Sequence, residues 1–267
     1  MWYALHGYIH DFKAIDDYLQ HRFPAVIQND MERFFFIRYW LGGPHIRLRF
    51  EAAEKDYPVI KARFEQSIAS YLETHDIQLI DYDNYYQKTM LENEAIQETY
   101  WCPNGSVEAF TYHPEYERYG GREGMIKSEK VFYRSSQMAL ILNKLSFAKR
   151  IMAGLDLIFL TFSQSPAGKD IYRSYASMWE SYAKEDTLSI DLEHTSVLSK
   201  RLHMLIEEGP ERFTVYHDYL DCLKETGIMD DIELLISHVH MTNNRLGVTP
   251  VLEYELATFI DKHKGWR

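Results

Sequence analysis

Glu115-Tyr116-Glu117-Arg118-Tyr119-Gly120-Gly121 is where this 267-residue chain changes character. Upstream, Trp2–Ile9 and Arg33–Trp40 are dense in aromatic and aliphatic residues. His45–Phe50 alternates polar with apolar, as does part of Gln78–Tyr86, so these stretches read as strands. Phe12–Asn29 and Lys55–Glu73 lie among them with helical spacing; Ile60, Phe64, Ile68 and Leu72 recur every fourth residue. Downstream, a period of 3.6 runs through Met125–Leu145, Ala148–Phe162, Gly168–Ala183, Leu192–Glu208, Arg212–Thr226, Asp231–Arg245 and Leu252–His263. The breakers between them are Ser165-Pro166, Gly209-Pro210, Gly227 and Pro250. Strands first and helices later predict an α+β fold: a strand-rich mixed sheet with helices, then a mainly helical half. No repeat, low-complexity tract or Gly/Ser linker interrupts the chain. It therefore reads as one compact domain over residues 1–267, strand-rich over 1–120 and helical over 121–267.

Composition narrows the function classes. Lys and Arg total 29 against 40 Asp and Glu, a net charge of −11, which opposes bulk nucleic-acid binding. The two cysteines, Cys102 and Cys222, are too distant for a redox or zinc motif and suit a reducing compartment. The N-terminal residues lack the basic and apolar regions of a signal peptide. The apolar stretch near Leu155–Phe162 is too short to span a bilayer, so a soluble cytoplasmic protein is expected. No dinucleotide, P-loop, serine-hydrolase or zinc-protease motif occurs, and neither cofactor nor metal is expected.

Three segments could carry chemistry. In Gly42-Gly43-Pro44-His45-Ile46-Arg47-Leu48-Arg49-Phe50, a turn leads into a strand whose alternation puts His45, Arg47 and Arg49 on one face. Two guanidinium forks there make either a carboxylate clamp or a solvated face with surface ion pairs. The Glu115–Gly121 segment can bring a carboxylate and a guanidinium beside a helix N-terminus, or simply cap that helix with a local pair. In Ile236-Ser237-His238-Val239-His240-Met241-Thr242-Asn243-Asn244-Arg245-Leu246-Gly247, His240 lies at the margin of a stripe formed by Leu235, Val239 and Leu246. It is either a proton-transfer group or a hydrogen-bonded core histidine. His238-x-His240 lacks a third metal ligand at a recognisable spacing.

Together these segments resemble the C-terminal elimination domain of the lantibiotic dehydratases, which also occurs as free-standing thiopeptide-type bacteriocin biosynthesis proteins. The resemblance rests on Phe36-Ile37-Arg38-Tyr39 with Pro44-His45-Ile46-Arg47-Leu48-Arg49, on Glu115-x-Glu117-Arg118-Tyr119-Gly120-Gly121, and on His238-Val239-His240 running into Asn243-Asn244-Arg245-Leu246. It covers essentially the whole chain. Thr242 departs from the pattern, since a second His often stands there. The resemblance implies that Ser or Thr residues of a ribosomal precursor peptide, esterified with glutamate from glutamyl-tRNA, lose glutamate to give dehydroalanine or dehydrobutyrine. It implies Arg47, Arg49, Glu115, Arg118 and His240 as catalytic residues, with Arg38, His45, Asn244 and Arg245 binding substrate.

The chemistry suits those residue types. A glutamyl ester carries a free carboxylate for the arginines and a free ammonium for Glu115. Removing the α-proton builds enolate charge, which a fixed donor stabilises by ~3–4 kcal/mol. His240 is the base or the acid in that step. The chain leaves little room for a glutamylating or peptide-recognition module. A separate glutamylating partner is therefore expected, with no direct contact to tRNA. Two other readings stand beside this one: a pyridine synthase joining two dehydroalanines by formal [4+2] cycloaddition, and a non-catalytic subunit that holds the precursor.

Overall fold

The structure, a computed structural model, describes residues 1–86, 88–93, 95–185 and 192–263. The fold is α+β, and its packing divides into two units, Met1–His113 and Pro114–Arg267. The first holds strands β1 (Trp2–Tyr8), β2 (Arg33–Tyr39), β3 (His45–Glu51) and β4 (Val107–Phe110). Its helices are α1 (Phe12–His21), α2 (Tyr57–Thr74) and α3 (Lys88–Asn93). The strands form one sheet in the order β2-β3-β1-β4, and every strand pair is antiparallel, where a mixed sheet was expected.

One face of this sheet is core. Leu5, Phe36, Ile46, Leu48 and Phe50 are buried, as are Ile60, Phe64 and Ile68 of α2. Gly7 lets the helix approach: a Cβ there would stand 2.4 Å from Ile68 Cδ1 and 2.6 Å from Phe64 Cζ. Pro24 falls in a 3₁₀ turn, Phe23–Ala25, so the helix expected to reach Asn29 stops at His21. Gln78–Tyr86 is not a strand. Asp81 instead caps a 3₁₀ turn over Tyr82–Asn84, as turn-forming Asp and Asn favour.

The second unit holds α4 (Gly121–Leu142), α5 (Phe147–Phe162), α6 (Ile171–Glu185), α7 (Leu192–Glu208), α8 (His217–Glu225), α9 (Ile232–Leu246) and α10 (Pro250–His263). The segment before α8 breaks into 3₁₀ turns at Pro210–Arg212 and Thr214–Tyr216, which shortens the helix expected from Arg212. α9 packs against α4 and α5, and α10 against α5 and α6. Buried Asp156 of α5 accepts from Arg201 Nε at 2.8 Å and Nη2 at 2.5 Å, and from the Tyr216 hydroxyl at 2.8 Å. No helix among the described residues is long and apolar enough to cross a membrane.

Candidate active site

In the first unit, pairing places Trp2, Ala4, His6 and Tyr8 of β1 on the sheet face that carries His45, Arg47 and Arg49. β2 adds Phe35, Ile37 and Tyr39, and β4 adds Glu108 and Phe110. This is the sheet face opposite the helix-covered core. His45 is wholly buried. Its Nδ1–H donates to the Gly43 carbonyl at 2.8 Å, so its Nε2 is free to accept from Arg47 Nε at 3.2 Å. The Arg47 guanidinium carbon lies 3.3 Å from the centre of the Tyr39 ring, a cation–π contact. Among the described residues, no carboxylate pairs with Arg47. Burial lowers its pKa. Arg49 lies over Phe35 and Tyr112, at 5.6 and 5.9 Å.

The same face keeps its imidazoles neutral. Burial pushes His45 down to about 3, with Arg47 and Arg49 adding to the effect and the Gly43 hydrogen bond opposing it. His6, directly across from Arg47 and stacked on Phe110 and His45, falls to about 2 through burial, then through His45 and the two arginines.

In the second unit, Gly120 (φ 72°) and Gly121 (φ 81°) close a tight turn before α4, with Gly121 N–H donating to Tyr116 O at 2.7 Å. Buried Tyr119 anchors that turn against Phe132 and His238. Arg118 Nη1 lies 3.4 Å from Glu115 Oε2, and its Nε donates to Ser237 Oγ of α9 at 3.4 Å. Ser237, His240 and Asn244 are three, four and seven residues apart, which aligns them along one side of α9. All three are part-exposed, whereas Leu235, Val239 and Leu246 are wholly buried. Arg118 therefore contacts α9 one turn from His240.

His240 itself is 16 % exposed. Its Nδ1 stands 2.9 Å from Oε1 of Glu253, a fully buried carboxylate in the first turns of α10. The Tyr175 hydroxyl donates to the other oxygen of Glu253, and Trp179, one turn along α6, stacks on the His240 ring at 4.4 Å. Burial raises the Glu253 pKa, and His240 leads the groups that pull it back. His238 points elsewhere. It is buried, its Nε2 meets Ser128 Oγ at 3.0 Å, and burial lowers it to about 3.

The structure thus brings Arg118, His240 and Asn244 onto or against one side of α9, with Glu115 paired to Arg118, and Arg47 and Arg49 onto one sheet face. Three residues expected to bind substrate are placed otherwise. Arg38 lies on the opposite sheet face from Arg47 and pairs with Asp16 of α1, because one step along a strand reverses the side chain. Both ring nitrogens of His45 are engaged, so it holds Arg47. Arg245 is wholly buried, donating to Ser136 Oγ at 3.0 Å and to the Met241 carbonyl at 2.6 Å, with Phe132 beneath it. Two residues were given no role from the sequence. His6 shares the alternation of β1, and Glu253 stands on the apolar stripe with Leu256, Ala257 and Ile260. A carboxylate at such a position was the available signal.

Residues 2–264 match the family described as lantibiotic biosynthesis dehydratase, C-terminal. The chain belongs to this family. Its place is therefore in ribosomal peptide-antibiotic biosynthesis. Among solved structures it resembles TbtD, the pyridine synthase from thiomuracin biosynthesis, at 14% identity and TM-score 0.75, over 98% of this chain and 97% of that one. It also resembles the tRNA-dependent lantibiotic dehydratase MibB from Microbispora sp. 107891, at 18% identity and TM-score 0.60, over 98% of this chain and 28% of MibB. TsrL is similar at 14% identity and TM-score 0.60, over 100% and 96% of the two chains. At these identities the likenesses speak to the fold. No curated protein matches the chain.

Proposed function

We propose that this member of the lantibiotic dehydratase C-terminal family eliminates glutamate from glutamylated Ser or Thr residues of a ribosomal precursor peptide, in the cytoplasm. The observation that carries the reading is Arg47: a largely buried guanidinium, supported by Tyr39 and His45, with no carboxylate paired to it among the described residues. Such a cation favours an incoming carboxylate, and a glutamyl ester brings one. Arg49 and Arg118 add positive charge, Glu115 receives the glutamyl ammonium, and Asn244 hydrogen-bonds the peptide.

The reaction breaks two bonds. The α-proton of the esterified residue leaves, its electron pair forms the Cα–Cβ double bond, and the Cβ–O bond breaks as glutamate departs. The enolate between those events is the species that fixed cations stabilise. His240 moves the proton. A separate glutamylating protein supplies the ester, so this protein with precursor and charged tRNA alone should yield no glutamylated peptide.

The test is incubation with a glutamylated precursor and mass spectrometry for loss of the glutamyl group. His240→Ala should lower turnover by roughly 10²–10⁴-fold while peptide binding stays nearly intact. Unaltered turnover would remove His240 from the mechanism. The full-length likeness to TbtD supports a second reading, cycloaddition of two dehydroalanines. A macrocycle with released leader peptide, in place of a dehydrated linear peptide, would establish it.

A further inference from the structure

The His240 ring is held on two sides by groups that the family resemblance did not supply. Glu253 has no exposed surface, and its two oxygens face different partners. The Tyr175 hydroxyl donates to one, and His240 Nδ1 stands 2.9 Å from the other. Tyr175 and Trp179 are four residues apart on α6, so one helix face supplies both the support for Glu253 and the ring stacked on His240. An ionised carboxylate oxygen only accepts, so with Glu253 as the carboxylate Nδ1 carries the hydrogen. A neutral imidazole with Nδ1–H has its lone pair on Nε2. That ring belongs to the part-exposed side of α9 that Arg118 reaches through Ser237.

We infer that Glu253 is a positioning residue: it fixes His240 in the Nδ1–H tautomer and leaves Nε2 as the atom that exchanges a proton with substrate. The inference rests on the proposal that His240 moves the proton, and it adds which nitrogen does so. When Nε2 takes a proton, the ring keeps its Nδ1 hydrogen bond to the buried Glu253 carboxylate. Trp179 keeps the ring plane fixed while the charge changes.

The experiment uses the full chain with ¹⁵N-labelled histidine. His240 resonances are assigned by their loss in His240→Asn, and the tautomer is read by NMR above pH 7.5. Protonated Nδ1 with bare Nε2 is the expected result; protonated Nε2, or an equal mixture, overturns the inference with no variant of Glu253 needed. Glu253→Gln then tests function. Its amide nitrogen can donate to Nδ1 and so reverse the tautomer. Turnover of a glutamylated precursor should fall on the order of 10³-fold with little change in KM, and Glu253→Asp should restore part of it. A Glu253→Gln protein that melts lower but keeps tautomer and kcat would show a packing role only and overturn the positioning role. Full turnover by His240→Asn would instead bring down the proton-transfer reading. The tautomer measured in the wild type would then report the geometry alone.

Discussion

Arg47 in the first unit and the buried carboxylates of the second show two ways of burying charge. On the sheet face of the first, a guanidinium is held by an aromatic ring and a neutral imidazole, and no carboxylate meets Arg47 among the described residues. In the second, buried carboxylates come with complete sets of donors: Asp156 with Arg201 and Tyr216, Glu253 with His240 and Tyr175. A satisfied buried ion pair holds a fold in one arrangement. A desolvated cation with π and imidazole support still has affinity for an anion. The first pattern therefore suits a ligand seat, and the second suits a framework with one working imidazole attached.

Acid should separate the units most strongly. In the first, burial pushes His6 to about 2, His45 to about 3 and His10 to about 4. All lie below the unfolded value near 6.5, so the unfolded chain takes up protons first as pH falls. The stability these residues contribute is complete above about pH 6.5 and declines towards pH 2–4, by on the order of 2 kcal/mol apiece at pH 5. The second unit has His238, also lowered to about 3, but its Glu253 is raised. A raised carboxyl has the reverse sign: the native state binds that proton more readily, so acid relieves part of the cost. Amide hydrogen exchange, corrected for intrinsic rates, should show β1 and β3 losing protection between pH 7 and pH 5 more steeply than α9 and α10. Parallel loss in both units would break the contrast.

How far the sequence disclosed this arrangement depends on which interactions are local. β1, β2 and β3 follow from alternation and aromatic content, and α7 spans the segment expected of it, because periodicity is written within each element. β4 was missed. Four residues, the last two exposed, carry little pattern, and the strand exists because β1 had a free edge. Within the candidate site, the shared face of His45, Arg47 and Arg49 was readable from a period of two. The Asp16 partner of Arg38, the Ser136 partner of Arg245 and the Glu253 partner of His240 are all long-range contacts. Periodicity specifies a face, and tertiary packing decides whether a charged side chain on it meets solvent or a buried partner.

The next largest effect sets two arginines against each other. Arg201→Met would leave Asp156 buried with only Tyr216 as donor, and should cost about 3–5 kcal/mol in denaturant unfolding. Arg47→Met removes a desolvated cation that has no carboxylate partner to strand. It does leave His45 Nε2 without its donor, so unfolding free energy should fall by about 1–2 kcal/mol, less than for Arg201→Met, while affinity for a glutamylated peptide falls roughly 10-fold or more. Equal destabilisation by the two substitutions would mean that Arg47 is as structural as Arg201. The ligand-seat reading would then lose its main support.

The smallest effect on stability belongs to Glu115. Its contact with Arg118, at 3.4 Å, is between side chains 55 % and 45 % exposed, so water screens the attraction and either chain can move away. Glu115→Ala should change unfolding free energy by less than about 1 kcal/mol. The turn that carries Glu115 is held by its own backbone hydrogen bonds and by Tyr119, none of which the substitution touches. Any loss of activity is therefore a loss of contact with substrate. Because the residue is proposed to receive the glutamyl ammonium in ground state and transition state alike, KM should rise and kcat should hold. A fall in kcat at constant KM would assign Glu115 to the chemical step itself, and the proton transfer given to His240 would have to be shared with it.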